Sequence, residues 1–389
     1  MKPLHIIGKI YFSVIGVFSL LLVTSCGSGG GGSSMGTASP VAMNAVNAPA
    51  SFYLQTNLVS SVPGLAQRTD PTLVNAWGIV HPPTGPWWVN ANGSGIAFLF
   101  DSQGNPFPAT APLVVTIPTA SGSGSSSPTG VVFNATTDFA VATAAPARFI
   151  FVTEDGTIAG WNSGVNPTTA VLKVNNGPAA VYKGAALADN DGVNYLYVAN
   201  FRGASVDVFD TNFMPVPTVT GAFSDSRIPA GFAPFNIANI NGSLVVTYAK
   251  QDDAKHDDVA GPGNGFADIY TPSGTLVRRL EHGDWLNSPW GVALAPAGFG
   301  KFSNHLLVGN FGSGQIAAFE TGEGEFEALL KGVDNTPLTI SGLWGLGFGN
   351  DATAGPATTL FFAAGINHEN DGLFGTITAQ GPVVNPVEK

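Results

Sequence analysis

Residues 290–330 read WGVALAPAGFGKFSNHLLVGNFGSGQIAAFETGEGEFEALL, and this stretch holds one complete structural unit. Trp290–Leu294 is a short run of small and apolar residues. Three further strand-like runs follow it, His305–Asn310, Gln315–Phe319 and Phe326–Leu330, and the last is interrupted by Glu327 as a half-exposed strand would be. Gly312 and Gly314 mark the hairpin between the second and third runs. The opening of the unit recurs as Trp77-Gly78, Pro128-Thr129-Gly130, Tyr182-Lys183-Gly184, Phe235-Asn236 and Trp344-Gly345. Positions 78, 130, 184, 236, 291 and 345 are spaced by 52, 54, 52, 55 and 54 residues. A period near fifty with strands inside it is the pattern of blades arranged radially about an axis.

The other copies repeat the second and third strands. Trp87–Asn90, Arg148–Thr153, Tyr195–Asn200, Leu244–Lys250 and Thr359–Ala364 are the second strands, while Ile96–Phe100, Thr157–Trp161, Ser205–Phe209, Phe266–Tyr270 and Leu373–Thr378 are the third. Copy six ends before a fourth strand, and an unpaired strand, Phe52–Leu58, precedes copy one. Pairing the two removes an exposed sheet edge. The expected fold is an all-β, six-bladed β-propeller over residues 51–380, with four-stranded antiparallel blades and the N-terminal strand completing the last blade. Two β-sandwiches would explain neither the six even openings nor the missing strand.

Composition agrees with one closed β-domain. The chain has 389 residues with 50 Gly and 28 Pro and no collagen period, which suits many tight turns. Its net charge is −11 and no basic run follows residue 40, so a nucleic-acid partner lacks an electrostatic footprint. Near the N-terminus, Lys2 and Lys9 precede an apolar stretch, Ile10–Val23, and then Val23-Thr24-Ser25-Cys26. This resembles a bacterial lipoprotein signal, with Cys26 the residue to be lipidated. Residues 1–25 are then a signal peptide, 26–50 a tether rich in Gly, Ser and Ala, and 381–389 a tail. Gly27, rather than Asp, after the cysteine favours the outer membrane if the host sorts by that residue. The expected protein is an extracytoplasmic monomer of the cell envelope, touching membrane only through its lipid. Cys26 is the sole cysteine, so no disulfide is expected.

The stretches Asn75–Ile79, Leu196–Arg202, Tyr248–Asp252, Lys255–Phe266, Leu307–Gly312 and Ala364–Asn367 resemble an uncharacterised family of exported bacterial propellers, some carrying a C-terminal PEP-CTERM sorting tag. This chain shows no hydrophobic stretch in Thr376–Val387 to match that tag. The resemblance implies a propeller and export, with no activity to transfer. The blades are more distantly similar to NHL-repeat and gluconolactonase-like propellers, some of them calcium-dependent hydrolases.

Three sets of residues are candidates for function. The second strands end at Asn90, Glu154, Asn200, Lys250 and Asn310, with Asn367 near the same level. A ring of amides could hold a hard cation or sugar hydroxyls, although Asn before Gly also closes turns with its own side chain. The aromatic openings, Trp77, Tyr182, Phe235, Trp290 and Trp344, either stack on sugars or wedge blade against blade. A fifteen-residue loop, Gln251–Gly265, replaces a tight hairpin in copy four, and copy six has a shorter counterpart in Asn367–Gly372. Asp252, Asp253, His256, Asp257 and Asp258 make that long loop a candidate calcium or other divalent-cation site, though without EF-hand spacing. Two functions compete. The first is a non-catalytic module binding a cell-envelope glycan or protein partner around the channel mouth. The second is a metal-dependent lactonase or esterase, for which Glu154 is the only acid at a ring position and the inner-strand starts offer none.

Overall fold

The computed structural model describes residues 50–381. The signal peptide, Cys26, the tether before residue 50 and the tail after 381 lie outside the described residues. Six antiparallel sheets surround one axis, as expected. Blade 1 comprises Ala76–Val80, Trp87–Ala91, Ile96–Phe100 and Val114–Thr116, and blades 2 to 5 repeat this order from inside to outside. Blade 6 comprises Leu343–Phe348, Leu360–Ile366 and Asp371–Gln380, and is completed by Phe52–Ser60 from the N-terminal end of the domain. That pairing runs from Phe52 opposite Gln380 to Ser60 opposite Leu373, so the ring is closed by hydrogen bonds along a whole strand. A short parallel strand, Arg68–Thr69, lies outside it. Among the described residues no helix is long and apolar enough to cross a membrane.

Strand side chains alternate between the two neighbouring blades, so the core is divided into six interfaces. Trp87 and Val89 pack toward blade 6 with Phe361 and Phe374. Trp88 between them packs toward blade 2 with Phe149 and Trp161. A seventh cluster sits on the axis itself.

The fifty-residue period has a steric cause. Inner strands approach one another so closely that a Cβ on Gly78 would lie 2.3 Å from the Thr129 carbonyl oxygen of blade 2. One on Gly345 would lie 2.6 Å from the Trp77 carbonyl oxygen of blade 1. Blade 4 has Asn236 at this position, and its amide donates to the Trp290 carbonyl of blade 5 (2.7 Å). The residue before each of these positions lies in a β-bulge of the inner strand, in all six blades. Bulges re-aim a side chain, and here they set what meets at the axis.

Candidate functional site

The six bulged residues are Trp77, Thr129, Lys183, Phe235, Trp290 and Trp344. The four aromatic ones form a plug with Phe201 and the half-buried Phe311. Trp344 is stacked between Trp77 (centroids 3.6 Å apart) and Phe311 (3.9 Å), while Trp290 stands edge-on to Trp77 and Trp344 at 6.2 and 6.0 Å. The three tryptophans are buried, so they fill the axis and leave no ring face open for a sugar. Below the plug an axial channel of 370 Å³ runs between the inner strands, past Ile79, Val132 and Ile237. Above it lies the mouth, on the face where second strands turn into third strands.

Lys183 takes the place of an aromatic in blade 3. Its side chain is only 2% exposed, with Nζ 5.2 Å from the Trp77 ring centroid, a cation–π distance. The ammonium donates to Glu154 of blade 2 and, at 3.3 Å, to Asp257 of the long blade-4 loop. Burial pulls its pKa down, but the Glu154 and Asp257 carboxylates outweigh that pull and hold it above its ordinary value. Glu154 is engaged on both oxygens, since Asn92 donates to the second (2.9 Å). Asn75 extends the network by accepting from the Trp344 indole (3.1 Å) and donating to Glu369 (2.9 Å). Burial, together with repulsion from Glu154, raises the Glu369 pKa despite the Asn75 bond that opposes it.

The long loop is folded over this site. Gln251 and Asp258 bridge to form a small hairpin, and Asp252 Oδ1 accepts the backbone N–H of His256 (2.8 Å) to shape its tip. That geometry delivers Asp257 to Lys183. Burial opposes the ionisation of Asp257, but Lys183 and then His256 hold its pKa below the usual range. Burial raises Asp258 instead.

The sequence-derived candidates separate into groups. Asn90 Nδ2 donates to the Thr129 carbonyl (2.9 Å), tying blade 1 to blade 2. Asn200 Oδ1 accepts the Gly203 N–H (2.9 Å), and Asn310 Oδ1 accepts the Asn287 N–H (2.8 Å). These three amides close turns and interblade contacts. Lys250 is exposed, and the exposed Asn367 donates to Asp371 (2.9 Å). Tyr182 is buried between blades 2 and 3, away from the axial cluster, and the residue after it fills the axial position. Lys183 itself was overlooked, although the signal was present: it precedes Gly184 as the tryptophans precede Gly78, Gly291 and Gly345.

As a metal site the loop gathers differently from its spacing. Among the described residues, Glu154, His256 and Asp257 bring donor atoms within 4.8 Å of one another. Asp252 is spent on the hairpin tip, and the exposed Asp253 and the inward Asp258 fall outside this group. The set does not suit calcium, which seeks six or more oxygens and not an imidazole. The Lys183 ammonium also claims both carboxylates. The cation this mouth is built around is covalently its own.

No family model matches the chain. Uncharacterized protein R648 of Acanthamoeba polyphaga mimivirus is 33% identical over 334 residues, spanning 82% of this chain and 78% of that protein. Uncharacterized protein L690 of the same virus is 32% identical over 334 residues, spanning 82% and 84%. Among solved structures, the soluble aldose sugar dehydrogenase of Escherichia coli, in its apo form, superposes with a TM-score of 0.50. That match covers 84% of this chain and 100% of that one at 11% identity, a likeness of fold alone. Both sequence relatives are viral, and they give no support to membership of a bacterial, sorting-tagged family. A third of the residues are shared across most of both lengths, and the chain belongs to the family of these two mimivirus proteins.

Proposed function

We propose that the protein is a non-catalytic binding propeller, tethered outside the cytoplasm through a lipid on Cys26, that holds a glycan or protein partner on its mouth face. The observation that carries this reading is the Lys183–Glu154–Asp257 ion cluster. A buried lysine whose pKa is raised stays protonated, so it is neither nucleophile nor base. Glu154, the one ring acid that a lactonase-like mechanism would use as base, has both oxygens occupied. The mouth is therefore a fixed polar surface, rimmed by the exposed Lys250, Asp253 and His368.

The test is sedimentation of the full-length protein with insoluble bacterial envelope polysaccharide. The parent is expected in the pellet, and the triple variant Lys250→Ala/Asp253→Ala/His368→Ala in the supernatant with an unchanged melting temperature. If the parent stays in solution, and a lactone and ester panel instead reveals turnover that Glu154→Gln abolishes, the binding reading fails and the hydrolase takes its place.

A further inference from the structure

Between blades 3 and 4, away from the axis, the mouth face carries a second cavity, of 300 Å³. One wall is the loop from Pro217 to Gly231, which joins the outer strand of blade 3 (Pro215–Val216) to the inner strand of blade 4 (Phe232–Ile240). Ser205, Thr218, Ser224, Asp225, Phe232 and Tyr248 line it.

Behind this wall is a chain of ionisable groups that packing does not require. Asp225 accepts from Nε and Nη2 of Arg279, the latter at 2.6 Å, and from the Arg227 backbone N–H (2.9 Å). Asp268 lies beside it, 2% exposed, and accepts from the Tyr270 hydroxyl (3.1 Å), which is 2.7 Å from the Tyr248 hydroxyl at the cavity. Asp268 pairs with Val246, which pairs in turn with Ile237, the residue after Asn236. The same register places Phe98, Ala159, Ala317 and Gly375 in blades 1, 2, 5 and 6. Only blades 3 and 4 put a carboxyl there, Asp207 and Asp268, and only Asp268 faces the junction that holds the cavity. Burying such groups is costly, and a cleft backed by them is where function is expected.

The buried charges behind this wall cancel, and the loop's exposed Arg227 is not among the residues that line the cavity. Arg279 offsets Asp225, while burial and the neighbouring Asp225 push Asp268 up to about 7, so it holds its proton through mildly acidic conditions. A wall whose buried charges are paired, presenting the exposed hydroxyls of Thr218 and Ser224 and the half-buried Phe232 ring, selects for hydroxyls on an uncharged ligand. The volume is at the small end of ligand pockets.

We infer that this off-axis cavity binds a neutral, hydroxyl-rich molecule the size of a monosaccharide. The site is separate from the axial mouth and stands or falls independently of it.

The experiment is saturation-transfer NMR and titration of the full-length protein with D-glucose, D-galactose and N-acetyl-D-glucosamine in turn. At least one sugar should bind with a millimolar dissociation constant, and Phe232→Leu should weaken that binding roughly tenfold. The triple variant at Lys250, Asp253 and His368 should bind the same sugar unchanged, even where it has lost the polysaccharide pellet. Asp225→Asn, which loosens the loop wall from Arg279, should weaken binding as well. If that variant fails to fold, Ser224→Ala and Phe232→Leu still decide the matter by titration. No transfer to any of the three sugars overturns the inference, as does binding that Phe232→Leu and Ser224→Ala leave intact.

Discussion

Replacing Lys183 with Met is the sharpest test of the charge-sealed axis. Methionine keeps the length and flexibility of the stem, so it fills the same space on the Trp77 ring while removing only the ammonium. What remains is Glu154, 13% exposed, with its principal counter-ion gone, and Asp257, 66% exposed, with solvent to fall back on. Breaking a buried pair from one side costs about 3–5 kcal/mol, and nearly all of it falls on Glu154, because an exposed partner contributes about 1 kcal/mol or less. For a domain of this size, with an unfolding entropy of about 2 cal/mol/K per residue, the loss corresponds to a melting temperature lower by roughly 4–7 °C. The assay is a set of calorimetric melts at pH 8 for the parent, Lys183→Met, Glu154→Gln and the double variant. The double variant should be more stable than the sum of the single losses predicts, because the second change removes the orphan left by the first. A Lys183→Met protein melting within about 1 °C of the parent at pH 8, or strictly additive single losses, would refute the reasoning.

Other outcomes follow from the same structure. Asp268 has a pKa of about 7 in the fold against 3.8 outside it, so the native state binds the extra proton between those values. Stability should fall by up to about 4 kcal/mol as pH rises from 4 to 7, and Asp268→Asn should flatten that slope in pH-dependent denaturant melts. Gly78→Ala drives a methyl against the Thr129 carbonyl and should cost about 2–3 kcal/mol, whereas Gly322→Ala, in open space, should be near neutral by the same melts. Cys26→Ala should move the protein from the membrane to the soluble fraction on cell fractionation, and continued membrane retention would remove the lipid anchor from the proposal.

The fold was legible because its steric requirement is local. Close approach of the inner strands demands Gly or an equivalent at one place per blade, and that demand survives in sequence as a spacing. Closure was legible by counting, since copy six lacked a strand and Phe52–Leu58 lacked a partner. The site was less so. Asn90, Asn200 and Asn310 stand at strand ends, as an open amide ring requires, but nearby backbone groups claim them. Nothing in Asp252–Asp258 reveals which carboxylate reaches the axis, because the partner, Lys183, lies more than seventy residues earlier. Alignment on the aromatic misplaced blade 3 by one residue. Alignment on the glycine places Lys183 correctly.

That one-residue distinction explains why the mouth is built as it is. Six bulges aim six side chains at the axis, and four aromatics seal the side formed by blades 4, 5, 6 and 1. Thr129 is too short to reach across, and its hydroxyl is held against the Tyr182 carbonyl (2.8 Å), so the side of blades 2 and 3 would stay open with another small residue at 183. Lysine fills the gap but brings a charge that cannot remain unpaired in an aromatic setting. Glu154 arrives from the end of a blade-2 strand, and a second, more exposed carboxylate comes from blade 4, whose strand end carries Lys250 instead. The long hairpin supplies it by carrying Asp257 back over the axis. The loop thus has a structural role toward Lys183 before any ligand is invoked, whereas the buried charges at the junction of blades 3 and 4 serve no such seal.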